Sequence, residues 1–204
     1  MLDAPVGAND TITTTEDVSH TFALEDFGFS DVDGDSLDGV QIALVESAGD
    51  LEYAGVDVVQ GQTYTDVTQL VFTPVVNMNG TPYATFNFKL EDSGGDFSDS
   101  VYQMRINVTP VADAPLGASS TLTLTEDISH TFSTGDLNFG DVDVGDTLVG
   151  VWITAEESAG DLEYAGADVS AGNFYTGMTQ LVFTPGADEN GAPPLASACK
   201  TAPG

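Results

Sequence analysis

The sequence contains almost no positive charge. It has 3 Lys and Arg residues against 33 Asp and Glu, a formal net charge of −30 over 204 residues. Carboxylates in this excess cannot be neutralised by ion pairs within the chain, and their mutual repulsion opposes folding. Nucleic acid and anionic lipid are excluded as partners because their phosphates would be repelled. Hard divalent cations bound through oxygen atoms would relieve the repulsion.

The sequence also lacks the elements of a disulfide framework or a membrane span. Cys199 is the single cysteine, so no disulfide within the chain can stabilise the fold. No apolar run approaches the roughly 20 residues that a spanning helix needs, and the first five residues, MLDAP, have no signal-peptide character. We therefore expect no membrane insertion and an export signal that lies outside this sequence.

Enough apolar material is present for a packed core, and its spacing favours β-strands. Hydrophobic residues make up 41% of the chain and aromatics 9%, which is outside the range of disordered sequences. Apolar residues alternate with polar ones over 40–44 and 86–90, which predicts strands with one buried face, and His20–Leu24 is predicted as a further strand. About seven such strands in about 110 residues predict an all-β fold of immunoglobulin-like or cadherin-like Greek-key β-sandwiches.

The sequence repeats itself in tandem. Asp3-Ala4-Pro5 recurs 110 positions later as Asp113-Ala114-Pro115, and after one inserted residue Glu46–Gly55 recurs as Glu157–Gly166. The match ends at Asn190-Gly191. The repeat therefore predicts two sandwich domains.

The predicted domains are unequal. A complete repeat is expected over 1–110, followed over 111–191 by an incomplete second repeat that lacks the last two strands. Residues 192–204 form a tail without a counterpart in the first repeat. Missing strands would leave an unpaired sheet edge, so we expect the second repeat to be the looser one.

Acidic residues concentrate in loops at the predicted ends of the domains. Consecutive strands of a sandwich reverse direction, so successive loops alternate between the two ends of a domain. If the repeats are stacked end to end, we expect the acids at the far end of the first domain to meet the acidic linker and the first long loop of the second domain. Calcium takes about six to eight oxygen ligands from such groups. The alternative is an acidic surface that only solvates the protein. The predicted calcium ligands are Glu16, Asp17, Asp31, Asp33, Asp35, Asp92, Asp96, Asp113, Asp141, Asp143 and Asp146.

Several motifs together carry a family resemblance. They are the TED of Thr15–Asp17, the DVDGD of Asp31–Asp35, Asn79-Gly80, the FKLEDSGG of Phe88–Gly95 and the VTPVADAP of Val108–Pro115. With them the sequence resembles the bacterial cadherin-like tandem repeats, related to the VCBS and tandem-95 groups, of large type I-secreted, RTX-type adhesins.

The resemblance implies a role and a location. It implies a calcium-stiffened stalk or extender, extracellular or on the bacterial cell surface, placed between an anchor and a distal binding domain. The partners would be the neighbouring repeats of the same chain, with a surface polysaccharide or a host or biofilm ligand bound by other domains. Val144 departs from the pattern, since it lengthens the second acidic loop by one residue and is expected to distort it.

Two other functions remain open. Trp152 lies at an outward strand position where the first repeat has Gln41, and an exposed indole there could stack on a sugar ring, as in a carbohydrate-binding module of a secreted protein. A hydrolase fragment is the weaker alternative, because the sequence has no nucleophile elbow, no HExxH helix and no phosphate loop. We expect no enzyme, and we interpret His20 and His130 as structural.

Overall fold

The computed structural model describes residues 3–187 and the strand Ser197–Ala202. The chain divides into two compact units, Met1–Val111 and Ala112–Gly204. Regular structure in the described residues consists of β-strands and short 3-10 helices. Among these residues no helix has the length and hydropathy needed to span a membrane.

The first unit is built from two sheets. One has the strand order β1-β9-β8-β3-β6 and the other the order β2-β7-β4-β5. Every pairing is antiparallel except that of β1 with β9, which is parallel. Short 3-10 helices at Leu24–Phe27 and Val67–Gln69 complete the unit. The strands are β1 Asp10–Thr15, β2 His20–Thr21, β3 Leu37–Leu44, β4 Asp50–Tyr53, β5 Val56–Asp57, β6 Thr63–Tyr64, β7 Leu70–Thr73, β8 Gly80–Asp92 and β9 Tyr102–Thr109.

The core of the first unit lies between these sheets. Alternate residues of the long strands point inward, as a period of two requires, and both sheets contribute buried aromatic and aliphatic side chains. This confirms the predicted all-β sandwich. The fully buried large side chains are Phe22, Phe27, Phe72, Phe86, Phe88, Ile42, Leu51, Leu70, Leu90, Met104 and Ile106.

The second unit repeats one sheet of the first in full. The order β11-β17-β14-β15 matches β2-β7-β4-β5, and the other described strands form the sheets β16-β13-β18 and β10-β12. Its 3-10 helices are Thr134–Leu137 and Met178–Gln180. The strands are β10 Leu116–Gly117, β11 His130–Thr131, β12 Phe139–Gly140, β13 Thr147–Ile153, β14 Asp161–Tyr164, β15 Ala167–Asp168, β16 Asn173–Thr176, β17 Leu181–Thr184 and β18 Ser197–Ala202.

The sheets that contain β3 and β13 differ between the units. The strand β18 runs antiparallel to β13 with Cys199 opposite Val151, as β8 runs antiparallel to β3 with Leu90 opposite Val40. A strand from the predicted tail therefore lies where the first unit has β8. In the part of the chain that the structure describes, no strand of the second unit takes the place of β9. Residues 120–125, which align with β1, form no strand there, and in the first unit β9 is the strand that pairs with β1.

Candidate metal centres

The first acidic loop of the first unit brings three carboxylates together ahead of β3. Oxygen atoms of Asp31, Asp33 and Asp35 lie within 4.8 Å of one another. The Asp31 Oδ1 accepts hydrogen bonds from the amides of Asp33 at 2.8 Å and Asp35 at 3.2 Å, so this carboxylate shapes the loop. Gly34 between them has φ +85°, a conformation that glycine adopts without a steric penalty.

Neighbouring segments hold the other two carboxylates of this cluster. The amide of Asp3 donates to Oδ2 of Asp33 at 2.6 Å, and the hydroxyl of Ser93 donates to Oδ1 of Asp35 at 2.9 Å. The Asp31 Oδ2 is buried without a hydrogen-bond partner. Burying a polar atom in that state costs free energy that an ion contact would recover.

The donor set fits a hard cation. The cluster offers carboxylate oxygens without nitrogen or sulfur, which suits Ca²⁺ or Mg²⁺ rather than zinc. Three carboxylates carry more negative charge than one divalent ion neutralises, so cation binding would lower the repulsion among them. The cluster is thus chemically suited to a calcium ion.

The second unit forms the same arrangement despite its longer loop. Oxygen atoms of Asp141, Asp143 and Asp146 lie within 4.8 Å of one another. Asp141 Oδ1 accepts the amide of Asp143 at 3.0 Å, and Asp141 Oδ2 is buried without a hydrogen-bond partner. The inserted Val144 is fully exposed and Gly145 has φ +107°. The extra residue therefore bulges outward and leaves the three carboxylates together.

Asp113 lies against this second cluster. Its amide donates to Oδ2 of Asp143 at 2.7 Å, the counterpart of the bond from Asp3 to Asp33. The sequence predicts Asp113, in the linker, as a calcium ligand but does not predict Asp3. The signal was present, because Asp3 aligns with Asp113 at the repeat spacing.

Glu16 and Asp17 follow directly after β1 and hold loops of the first unit. The side chain of Glu16 is 2% exposed, and its Oε1 and Oε2 accept from the amide of Val111 and, at 3.3 Å, from Nδ2 of Asn79. Asp17 Oδ1 accepts the amide of Asn77 at 3.0 Å. These hydrogen bonds tie the loop after β1 to the loop that precedes β8 and to the segment after β9.

Asp92 and Asp96 lie at the end of β8 and in the turn after it, and Asp92 is the strand partner of Leu37. Neither shares a group of three mutually close carboxylates with Asp31, Asp33 and Asp35 in the described residues. Asp92 is 1% exposed, and its Oδ1 accepts the amide of Asp96 at 2.9 Å, while its Oδ2 is buried without a hydrogen-bond partner. The pair shapes the turn after β8, and Ser93 connects that turn to Asp35.

The structure contains two further acidic clusters that the sequence did not predict. Asp50, Glu52 and Asp57 place carboxylate oxygens within 4.8 Å of one another on the β4–β5 hairpin of the first unit. The second unit has the same cluster, formed by Asp161, Glu163 and Asp168 on the β14–β15 hairpin. The signal was the spacing of Asp50 and Glu52 two residues apart, which puts both on one face of a strand. In each cluster two of the three residues are exposed.

Trp152 is exposed on the outer face of β13. Its side chain is 41% exposed, and its ring lies 5.4 Å from that of Phe174 at an angle of 45°. The two residues are a cross-strand pair of β13 and β16, and the equivalent pair in the first unit is Gln41 with Thr63. Both positions are therefore polar in the first unit and aromatic in the second.

Each unit also contains one histidine paired with an aspartate. His20 Nε2 lies 3.4 Å from Oδ2 of Asp26, and His130 Nε2 lies 3.3 Å from Oδ2 of Asp136. Burial raises the pKa of Asp136, but the amide and hydroxyl of Ser133 and the imidazole of His130 bond to its carboxylate and outweigh it. The pKa of Asp136 consequently lies below its ordinary value.

The two sheets packed around one core define an immunoglobulin-like β-sandwich. The chain belongs to the bacterial Ig domain family, whose model matches residues 2–105, just over half of its length. No curated protein matches the chain.

Three solved structures with similar architecture are cadherin fragments. Extracellular domains 1–4 of Drosophila N-cadherin match 89% of this chain and 40% of theirs, at 13% identity and a TM-score of 0.44. For domains 1–4 of protocadherin gamma B7 the match covers 97% of this chain and 49% of theirs, at 14% identity and a TM-score of 0.42. For domains 1–2 of human mucin-like protocadherin it covers 97% of this chain and 95% of theirs, at 15% identity and a TM-score of 0.39. The chain spans less than half the length of the first two structures.

Proposed function

We propose that this chain is a calcium-binding structural segment, a stalk or extender, of a bacterial cell-surface or secreted adhesin. The observation that carries the proposal is the recurrence of one acidic cluster in both units. Asp31, Asp33 and Asp35 in the first and Asp141, Asp143 and Asp146 in the second each include a buried carboxylate oxygen without a hydrogen-bond partner. A role that is structural rather than catalytic accords with membership of the bacterial Ig domain family.

The residues that would hold the ion are those of each cluster. Asp31 and Asp141 would contribute the Oδ2 atoms, because their Oδ1 atoms already accept loop amides. A bound calcium ion would supply positive charge to a chain with a formal net charge of −30. With the repulsion lowered, each loop would keep its conformation at the start of β3 or β13.

Calcium would also stiffen the junction between the repeats. Within the first unit the amide of Val111 is bonded to Glu16, and within the second the amide of Asp113 is bonded to Asp143. These amides are two residues apart in the chain, so each end of the short linker is fixed to the acidic loop of its own unit. An ion held by the Asp141 cluster would stabilise one of these attachments and reduce hinge bending.

Calorimetry tests the proposal directly. An ion present at about 100 times its dissociation constant stabilises its site by about 2.7 kcal/mol, which raises the Tm of a domain of ~100 residues by on the order of 10 °C. We expect this rise in calcium and its loss in chelator. Unchanged melting in excess chelator would contradict the proposal.

Matched variants assign the effect to the clusters. Asp31→Asn and Asp141→Asn keep an oxygen for the loop amides but remove one charge, so each should abolish the calcium response of its own unit. Asp99→Asn, an exposed acid outside the described clusters, should keep the response. If all three variants respond alike, the ions are bound non-specifically to the acidic surface.

Carbohydrate binding is the second candidate function. It is favoured by the exposed Trp152, which forms an aromatic pair with the half-buried Phe174 where the first unit has a polar pair. Trp152→Ala should then abolish the retention of the chain on an insoluble polysaccharide, while Gln41→Ala, the equivalent change in the first unit, should not. Equal retention of the two variants would reject this function.

A further inference from the structure

The first acidic loop contains an aspartate that is followed directly by glycine. Asp33 and Gly34 are both exposed and lie outside the strands and 3-10 helices. Gly34 has φ +85°, and nothing lies within 4 Å of the position that a Cβ atom would take. The peptide that joins the two residues therefore has room to rotate.

The backbone amide of Gly34 is not engaged in the hydrogen bonds that shape this loop. The amides of Asp33 and Asp35 both donate to Oδ1 of Asp31. Among the residues that the structure describes, no acceptor is bonded to the Gly34 amide between them. This nitrogen can approach the side-chain carboxyl carbon of Asp33 without the loss of a hydrogen bond.

Two other places in the chain lack this combination. The sequence has a second Asp-Gly pair, Asp38-Gly39, but it lies inside β3, where the ladder fixes the backbone and Gly39 is buried. A Cβ atom on Gly39 would lie 2.5 Å from Cγ2 of Thr63, so its surroundings are packed. In the second unit Asp143 is followed by Val144, whose branched side chain screens the amide nitrogen. Of the two Asp-Gly pairs, only Asp33-Gly34 lies in an open loop.

We propose that Asp33-Gly34 is a site of spontaneous modification, at which Asp33 isomerises to isoaspartate through a succinimide. The amide nitrogen of Gly34 forms a bond to Cγ of the protonated carboxyl group, and the carboxyl hydroxyl leaves with the amide proton as water. Water then adds to one of the two succinimide carbonyls and breaks its bond to nitrogen. Addition at the main-chain carbonyl gives isoaspartate, and addition at Cγ restores aspartate. The reaction consumes and returns one water and changes no oxidation state.

Isomerisation would remove Asp33 from its cluster. The main chain then runs through the former side chain, and the carboxylate is attached directly to Cα. This carboxylate is displaced from the place where it accepts the Asp3 amide and lies beside Asp31 and Asp35. A calcium ion bound as proposed above would slow the reaction, because it would hold the Asp33 carboxylate ionised and in place. Only this protection rests on the proposed function.

Mass spectrometry of the whole chain tests the proposal. The protein is aged at constant pH near neutrality, in water enriched in the heavy oxygen isotope, with chelator or with calcium. A protease that cleaves before aspartate but not before isoaspartate then gives the fraction isomerised at each position. In chelator we expect isoaspartate to form several-fold faster at Asp33 than at Asp38 or Asp143, with one heavy oxygen incorporated.

Calcium should slow the reaction at Asp33. At ~100 times the dissociation constant about 1% of the sites are empty, so isoaspartate should form about tenfold or more slowly. Protein aged in chelator should lose the calcium response of the first unit in calorimetry and keep that of the second.

Variants of the dipeptide separate the chemistry from the fold. Gly34→Asn places a side chain beside the attacking nitrogen and should slow the reaction several-fold, and asparagine adopts positive φ more readily than other residues with a Cβ atom. Gly61→Asn is the matched control, since Gly61 has φ +84° and nothing within 4 Å of an added Cβ, and it should leave the reaction at Asp33 unchanged. Asp33→Asn should speed it up, because ammonia then leaves instead of water, and should give the same two products.

The outcomes for isomerisation and for calcium are distinguishable. Absence of isoaspartate at Asp33 in chelator, or equal amounts at Asp33 and Asp38, would overturn the proposal whether or not calcium raises the Tm. Equal rates in calcium and chelator, with a Tm that calcium does raise, would overturn the protection. Equal rates with a Tm that does not respond to calcium would support the modification site and contradict the calcium-binding function.

Discussion

The amide of Asp113 donates a hydrogen bond of 2.7 Å to Oδ2 of Asp143, and the amide of Asp3 makes the same bond, of 2.6 Å, to Asp33. In both units the segment that enters the sandwich is therefore attached to the acidic loop that precedes β3 or β13. The aspartate that accepts this bond, Asp33 or Asp143, therefore has two roles. It holds the entering segment, and it adds negative charge to the cluster.

Removing this carboxylate should lower stability in calcium but not in chelator. Asp143→Ala deletes an acceptor worth about 1 kcal/mol, but it also relieves repulsion with Asp141 and Asp146. In chelator we expect the Tm of the second unit to change little or to rise. In calcium it should fall by several degrees, because an ion ligand is lost. Differential scanning calorimetry of the variant and of Asp99→Ala in both conditions measures this, and a fall of equal size in both would refute the dual role.

The lowered pKa of Asp136 predicts a pH dependence of its own. A carboxyl group with a depressed pKa in the folded state contributes stability that is complete above its unfolded pKa of about 3.9 and is lost as the pH falls through its lower folded value. Ser133→Ala removes the hydroxyl donor to Asp136 and leaves the amide donor. The pKa of Asp136 should then rise toward its ordinary value.

A carboxyl-carbon NMR titration measures this shift. Asp66 is the internal control, because its lowered pKa depends on hydrogen bonds from Gln69 and Thr68 and not on Ser133. The contribution of Asp136 to stability above its unfolded pKa should be smaller in Ser133→Ala, and its loss on acidification should be complete at a higher pH. An unchanged titration of Asp136 would show that the hydroxyl does not stabilise the carboxylate.

Local patterns in the sequence predicted the long strands well. The alternation over 86–90 lies inside β8, and the predicted burial of its apolar residues is observed. The predicted strand His20–Leu24 is shorter, because after Thr21 the chain turns into the 3-10 helix Leu24–Phe27 to bury Phe27. That turn depends on the packing of Phe27 against Phe88 of the distant strand β8, which no local pattern encodes.

The sites were predictable where one loop supplies the ligands. Asp31, Asp33 and Asp35 lie on one turn, so their convergence follows from spacing alone. The hairpin cluster was missed because Asp57 reaches Glu52 through a turn in which Ala54 and Gly55 both have positive φ. The strand β18 was missed because its place is set by pairing with β13 rather than by its own sequence pattern.

The close pairing of β13 and β16 leaves no room for a side chain at Gly150. A Cβ atom on Gly150 would clash with the carbonyl oxygen of Tyr175 and would lie 2.8 Å from Cζ of Phe174. Gly150→Ala should therefore destabilise the second unit by about 1 to 3 kcal/mol, as overpacking typically does. Gly140→Ala is the control, because nothing lies within 4 Å of the added carbon. Similar melting of both variants would show that the strands shift apart at little cost.

The second unit is expected to open more readily than the first. Among its described residues no strand takes the place of β9, which in the first unit buries Met104 and Ile106 and pairs with two neighbours. Native-state hydrogen exchange should therefore give lower opening free energies for β13 than for β3, although the two align in the repeat. Limited proteolysis in calcium should cut within the second unit first and leave the first unit as a resistant fragment that ends near Val111. Equal protection of β3 and β13, or an initial cut within the first unit, would show that β18 alone closes the second core.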